Sequence, residues 1–202
     1  MKKIIFATSN EGKMKEIREI LCDIDIELLS LKEAGLNMDI DENGETFEEN
    51  AIIKAKTVME LTGEIVLADD SGLEVDYMDK APGVYSARFM GEDTSYDIKN
   101  QYIIDQLKTA TKEERSARFV CAIACAFPSG KILTRSASIE GFIAKEICGE
   151  NGFGYDPIFY VPQFQCTTAQ MNSEQKNQIS HRGKALRAMR ELILNQLQGM
   201  EE

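Results

Sequence analysis

The chain has 202 residues, 43% of them apolar, with 34 acidic against 23 basic side chains and a net charge of −11. Length and apolar content predict one compact domain with a substantial core. The acidic balance, with no basic stretch to offset it, argues against binding a nucleic-acid backbone, and the short apolar run behind a charged start predicts no signal or membrane-spanning segment.

Residues Lys2 to Ala7 read as a buried strand and Thr8-Ser9-Asn10-Glu11-Gly12-Lys13 as a polar turn. Met14, Ile17 and Leu21, with Ile20 beside them, predict a helix over about 12–22 whose charges fall on the other face. A strand-turn-helix unit points unpaired backbone N–H groups and the Lys13 ammonium at one spot, which makes an anion site. The plain alternative is the first loop of an α/β domain. It is not a Walker A loop, because Ala7 and Met14 stand where that motif needs Gly and Ser or Thr.

Thr46 and Glu49 have capping-box spacing and start a helix over about 46–61. Thr46, Asn50 and Lys54 then form one polar stripe, opposite Phe47, Ala51, Ala55, Val58 and Met59. Spacing leaves open whether the stripe is solvated or works with Asp41, Glu42 or Glu45 at a metal site. The apolar run Ile65-Val66-Leu67-Ala68 is expected to end at Asp69-Asp70, with Ser71-Gly72 as a turn. Carboxylates at a strand tip suit magnesium, which takes hard oxygen ligands, and they equally suit an ordinary turn.

A helix is predicted over 94–108, then strands Arg118–Phe127 and Ile132–Ile139 joined by the hairpin turn Pro128-Ser129-Gly130-Lys131. Alternation puts Cys121, Ile123 and Cys125 on one buried face. With Cys22, Cys148 and Cys166 they make an odd set without a CxxC pair, which predicts neither a disulfide framework nor a zinc site and points to a reducing cytoplasm. A Cys-His pair using His181 is conceivable, but no cysteine sits among activating neighbours.

Gly152-Phe153-Gly154-Tyr155-Asp156-Pro157 is an aromatic turn before the strand Ile158-Phe159-Tyr160-Val161. Its glycines permit close backbone approach, its rings offer faces for a flat base, and Asp156 is a candidate acceptor for a ring N–H; the alternative is a tight turn with aromatic packing. Ser180 is a candidate N-cap for a last helix over 181–198, built on Leu186, Met189, Ile193 and Leu197. That places His181 and Arg182 in its first turn, with Lys176 nearby. The fold class read from these elements is α/β with a mixed, twisted sheet.

These pieces, in this order, closely resemble the inosine triphosphate pyrophosphatase family of hydrolases acting on noncanonical purine nucleoside triphosphates. The resemblance covers nearly the whole chain. It includes Ala7 to Asn10 with Gly12-Lys13, Thr46-Phe47, Glu49-Asn50-Ala51 with Lys54-Ala55, Ala68 to Leu73, Ala81 to Arg88, Gly152 to Pro157 and Ser180 to Gly183. It implies a long sheet flooring a central cleft between two lobes of a single domain, 1–202, and a homodimer. It implies that Thr8, Ser9, Asn10, Glu11, Gly12, Lys13 and Ser71 hold the triphosphate. Glu42 and Asp70 would serve Mg2+, Asp70 would also accept a proton, and Lys54 would support the phosphate chemistry. The base pocket would comprise Phe153, Gly154, Tyr155, Asp156, Lys176, Ser180, His181 and Arg182. Glu150-Asn151 and Thr168-Ala169-Gln170-Met171 depart from the family pattern near that pocket.

The implied reaction is attack of water on the α-phosphorus of ITP, dITP or XTP, giving the monophosphate and pyrophosphate. Donors facing the 6-oxygen of hypoxanthine or xanthine would reject the 6-amino group of adenine. Two competitors have other signatures: a pyrimidine-directed pyrophosphatase would change the base loop, and a non-catalytic nucleotide sensor would lack Asp70, Lys54 or the acidic partner.

Overall fold

The computed structural model describes residues 2–198. The main elements are β1 (Lys2–Phe6), α1 (Glu11–Ile20), β2 (Ile26–Ser30), α2 (Phe47–Thr62), β3 (Ile65–Val75), α3 (Tyr96–Gln106), β4 (Ser116–Ala126), β5 (Ile132–Ile143), β6 (Phe159–Val161), β7 (Cys166–Thr167), α4 (Ser173–Ile179) and α5 (His181–Gln198). Among the described residues the strands form one seven-stranded sheet in the order β2-β1-β3-β4-β5-β6-β7. It is mixed, as expected: β1 runs parallel to β2 and β3, whereas β6 is antiparallel to β5 and β7.

One expectation is corrected. Asp69-Asp70-Ser71-Gly72 is not a strand end and turn, because β3 continues through it to Val75. β1 stops at Phe6, so its pairing with β3 ends at Phe6 opposite Leu67. On the other side β3 is flanked by β4, also 11 residues long. The two carboxylates therefore lie on a strand just past the point where one neighbour has ended. Backbone pairing outweighs the turn preference of Ser and Gly. Sequence reading also missed β2, β7 and α4, which are five, two and seven residues long and too short to show a period.

The chain divides into two compact units. The first comprises Met1–Asp70, Cys121–Ala137 and Arg182–Glu202, and the second Ser71–Val120 and Ser138–His181. The core of the first joins Ile4 and Phe6 of β1, Ile17 of α1, Leu67 of β3, and Leu186, Met189 and Ile193 of α5. Cys121, Ile123 and Cys125 share that core, and burial pushes both thiols up to about 12, so neither is a nucleophile at neutral pH. The core of the second joins Leu73 and Val75, Ile103 and Leu107, and Phe119, Phe159 and Val161. Beside it Arg115, buried, donates to the carbonyls of Leu107, Ile143 and Ala144 at 2.6–2.7 Å.

Candidate active site

In the first unit β1 leads into α1 through the polar turn. Asn10 caps α1, its Oδ1 accepting from Lys13 N at 3.0 Å, and Thr8 Oγ1 accepts from Asn10 N at 3.2 Å. These bonds shape the loop around the helix N-terminus, where backbone N–H groups and the dipole favour an anion. Ser9, Asn10 and Glu11 are exposed, and Gly12 and Lys13 half-buried. The Lys13 ammonium reaches Asp69 Oδ1 at 3.1 Å.

Asp69, read from the sequence with Asp70 as a carboxylate pair but given no role of its own, is 1% exposed. Its Oδ2 accepts from Nε and Nη2 of Arg182 at 3.2 Å, and Arg182 Nη1 pairs with Glu16 of α1. Burial alone would push Asp69 up, but Lys13, Arg182 and Lys54 together hold its carboxyl below the usual range. Glu16 breaks the expected pattern of charges on the outer face of α1, being buried as the partner of Arg182. Arg182, expected among the base-pocket donors, is thus engaged in the first unit by two carboxylates, which keep its charge in place.

The capping box at α2 is formed as predicted, with Thr46 Oγ1 accepting from Glu49 N and Glu49 Oε2 accepting from Thr46 N. The stripe that follows is buried. Asn50 Oδ1 accepts from Gly44 N at 2.8 Å, while its Nδ2 donates to Asp70 Oδ2 at 3.0 Å. Gly44 has no room for a side chain, since a Cβ there would stand 2.8 Å from Asn50 Oδ1. One turn along α2, Lys54 Nζ donates to Glu42 Oε1 at 2.9 Å and lies 3.7 Å from Asp70 Oδ1. So α2 brings Asn50 and Lys54 to Asp70, and Lys54 brings in Glu42.

Asp70 is 6% exposed, and its environment opposes that of its neighbour. Burial pushes its carboxyl up, Lys54 pulls it down, and Glu42 pushes it up again, with a net rise. Burial likewise works to lower Lys54, but Asp70, Asp69 and Glu42 outweigh it and raise its pKa. The two adjacent carboxylates thus have pKa values driven in opposite directions, Asp69 down and Asp70 up. Glu42 and Asp70 also offer hard oxygens close enough to repel, which a divalent cation would relieve. Among the described residues no group of three or more His, Cys, Asp or Glu side chains is placed to hold a metal. A pair still fits magnesium, which commonly takes one or two carboxylates and completes its shell with water and substrate phosphate.

The second unit holds the aromatic turn. Asp156 is buried and organises it: Oδ2 accepts from Phe153 N at 2.8 Å and Lys176 Nζ at 2.7 Å, and Oδ1 accepts from Thr168 Oγ1 at 2.8 Å. Lys176 Nζ also stands 5.0 Å from the centre of the Phe153 ring. Gly152 has φ +75°, and a Cβ there would fall 2.2 Å from Asp156 Oδ2, so only glycine fits. The Tyr155 hydroxyl donates to Ser86 O at 2.8 Å. Lys176 rides on α4, whose capping box of Asn172 and Gln175 is the sequence signal that was overlooked. Ser180, extended and buried, ends α4 just before α5, and His181 stacks on Phe119 with centroids 4.9 Å apart. Ser71 is half-buried on β3.

The two departures from the family pattern meet. Asn151 N donates to Ala169 O and Asn151 Nδ2 to Met171 O, both at 3.0 Å, while Thr168 in the same turn supports Asp156.

Comparison with known proteins gives the family. Residues 4–192 match the model of the Ham1 family. A dITP/XTP pyrophosphatase of Desulforamulus reducens is 49% identical over 195 residues, covering 96% of each chain. Its counterpart in Bacillus subtilis is 46% identical over 193 residues, covering 96% of this chain and 98% of the other. Among solved structures, a HAM1 protein from Coxiella burnetii superposes with a TM-score of 0.87 at 41% identity, covering 96% of this chain and all of that one. A nucleoside-triphosphatase / dITP/XTP pyrophosphatase from Mycobacterium abscessus gives 0.74 at 38% identity, covering 93% and 98%. With matched sequence and fold along nearly its whole described length, the chain belongs to the Ham1 family.

Proposed function

We propose that this chain hydrolyses noncanonical purine nucleoside triphosphates such as ITP, dITP and XTP to the monophosphate and pyrophosphate. The observation that carries the reading is the cluster of buried Asp70, Asn50 and Lys54 with half-buried Glu42, in which one carboxyl is raised beside a fixed ammonium. The dITP/XTP pyrophosphatases named above supply the substrate class.

In this reading the triphosphate is held by the loop Thr8 to Lys13, by the N–H groups that open α1, and by Ser71. Ionised Asp70 takes a proton from water as its oxygen bonds to the α-phosphorus, and the bond from that phosphorus to the bridging oxygen breaks, releasing pyrophosphate. Asn50 fixes the Asp70 carboxylate by its 3.0 Å bond, and Lys54 offsets charge on the phosphates. Mg2+ held by Glu42 and Asp70 would supply further charge compensation. Phe153 and Tyr155 offer faces to the base, with Gly154 between them allowing close approach. Lys176, held by Asp156, gives a donor that suits a 6-oxygen and not a 6-amino group. Ser180 and His181 complete the recognition set, and Arg182 stays with Asp69 and Glu16. Assembly as a homodimer and a reducing cytoplasmic setting belong to the same reading.

The test is parallel incubation with Mg2+ and dITP, XTP, GTP or ATP, identifying the released ion. Pyrophosphate from dITP and XTP, with ATP spared, is expected. Orthophosphate would move attack to the γ-phosphorus and overturn the reading, and equal hydrolysis of ATP would overturn the base assignment.

A further inference from the structure

We propose that Asn100 of α3 is a positioning residue for base recognition, fixing the Gly154 carbonyl and through it the stance of Phe153 and Asp156; this rests on the functional reading above. Asn100 is 1% exposed, and its Nδ2 donates to Gly154 O at 3.1 Å. Its Oδ1 is buried and, among the described residues, accepts no hydrogen bond. The amide cannot be turned over to relieve this, since Oδ1 would then face the Gly154 oxygen, acceptor against acceptor. An unmatched buried acceptor opposes stability, and an apolar side chain of similar shape would avoid it. What the amide adds is its hold on Gly154.

The loop has reason to need that hold. Gly152 and Gly154 both have left-handed φ, +75° and +68°, so the turn is built on two residues with the widest backbone freedom. Asp156 anchors one side of it, through Phe153 N. Asn100 anchors the other. Its neighbours on α3 act in the same way: Lys99, almost fully buried, donates to Ala87 O at 2.7 Å, and the Tyr96 ring meets Tyr155 edge-on at 5.2 Å. Tyr155 in turn donates to Ser86 O, beside Ala87. Tyr96, Lys99 and Asn100 stand at i, i+3 and i+4, so one face of α3 is given over to the loop at 86–87 and the loop at 152–156.

The test is Asn100→Leu, which removes the donor and the unmatched acceptor together, with Asn100→Asp as a second variant that keeps the shape. Melting temperature, kcat and KM for dITP, and inhibition constants for IMP and inorganic triphosphate are measured against the native chain. For Asn100→Leu we expect a melting temperature within a few degrees of the native value, because loss of the unmatched acceptor offsets the acceptor left on Gly154. KM and the IMP constant should each rise about tenfold, the loss of one neutral hydrogen bond's worth of positioning, with kcat changed by less than about twofold. Inhibition by inorganic triphosphate should not change. Asn100→Asp should lose IMP affinity as pH rises, because its carboxyl can donate to Gly154 when protonated and cannot when ionised. Unchanged IMP affinity in both variants, or an equal loss for IMP and inorganic triphosphate, would overturn the proposal alone. A native chain that neither hydrolyses dITP or XTP nor binds IMP would overturn the functional reading and the proposal with it.

Discussion

Asp69 and Asp70 are adjacent on one strand, yet replacing each by asparagine should have opposite consequences. Asp69 is 1% exposed and carries the countercharge for Arg182, with Nε and Nη2 at 3.2 Å, and for Lys13 at 3.1 Å. Asp69→Asn keeps the volume but removes the charge, leaving a buried guanidinium still paired with Glu16 and an ammonium, 17% exposed, that has lost its 3.1 Å carboxylate partner. Breaking one member of a buried charge set costs about 3–5 kcal/mol, and a chain of this length loses about 2–4 °C for each kcal/mol, so the melting temperature should fall by about 6–20 °C. Asp70→Asn retains an oxygen for Asn50 Nδ2, leaves Lys54 its 2.9 Å bond to Glu42, and removes a carboxylate that burial already disfavours. Its stability should stay within about 1 kcal/mol of the native value, while kcat falls by about 10²–10⁴. The assay is urea and thermal unfolding of both variants beside pyrophosphate release from dITP. Asp23→Asn serves as control, because its pair with Arg190 has a carboxylate 60% exposed and should contribute less than about 1 kcal/mol. Equal destabilisation by the two variants, or a near-native rate for Asp70→Asn, would refute the division of roles.

The pH dependence carries a sign. The folded-state pKa of Asp70 is raised, so the folded chain holds this proton to higher pH than the unfolded one; its contribution to stability is greatest at low pH and declines as pH rises through the raised value. In the metal-free chain the Asp70 carboxyl should titrate above the ordinary carboxylate range when followed by NMR, a value within that range would reject the assignment, and bound Mg2+ should draw it down. Gly152→Ala should raise KM for dITP by at least about tenfold while inorganic triphosphate still inhibits, since the new methyl collides with Asp156 and φ +75° strains alanine. Native-state thiol titration should find Cys22 reactive, being exposed, and Cys121 and Cys125 silent until unfolding. Chelation with EDTA should abolish turnover of dITP and excess Mg2+ restore it; retained activity would remove Glu42 and Asp70 from a metal role.

Local patterns in this chain were readable because local physics sets them. The Thr46–Glu49 capping box, the heptad-like series Leu186, Met189 and Ile193, the alternation of Cys121, Ile123 and Cys125, and the polar turn from Thr8 to Lys13 that opens α1 each depend on residues within a few positions of one another. What became of a polar residue once formed into a helix or strand was not readable. Glu16 looked like a surface charge until Arg182, 166 residues away, was brought to it, and spacing left the stripe of Asn50 and Lys54 open between solvent and a site until β3 set Asp70 beside it. The extension of β3 through Asp69 to Gly72 had the same origin, because a flanking strand supplied backbone partners that Ser-Gly propensity does not anticipate. Sequence fixes which side chains are present and which short segments they favour. Burial and long-range pairing decide which carboxylate is neutralised and which keeps a raised pKa, because both depend on charges and dielectric that exist only once distant segments have met.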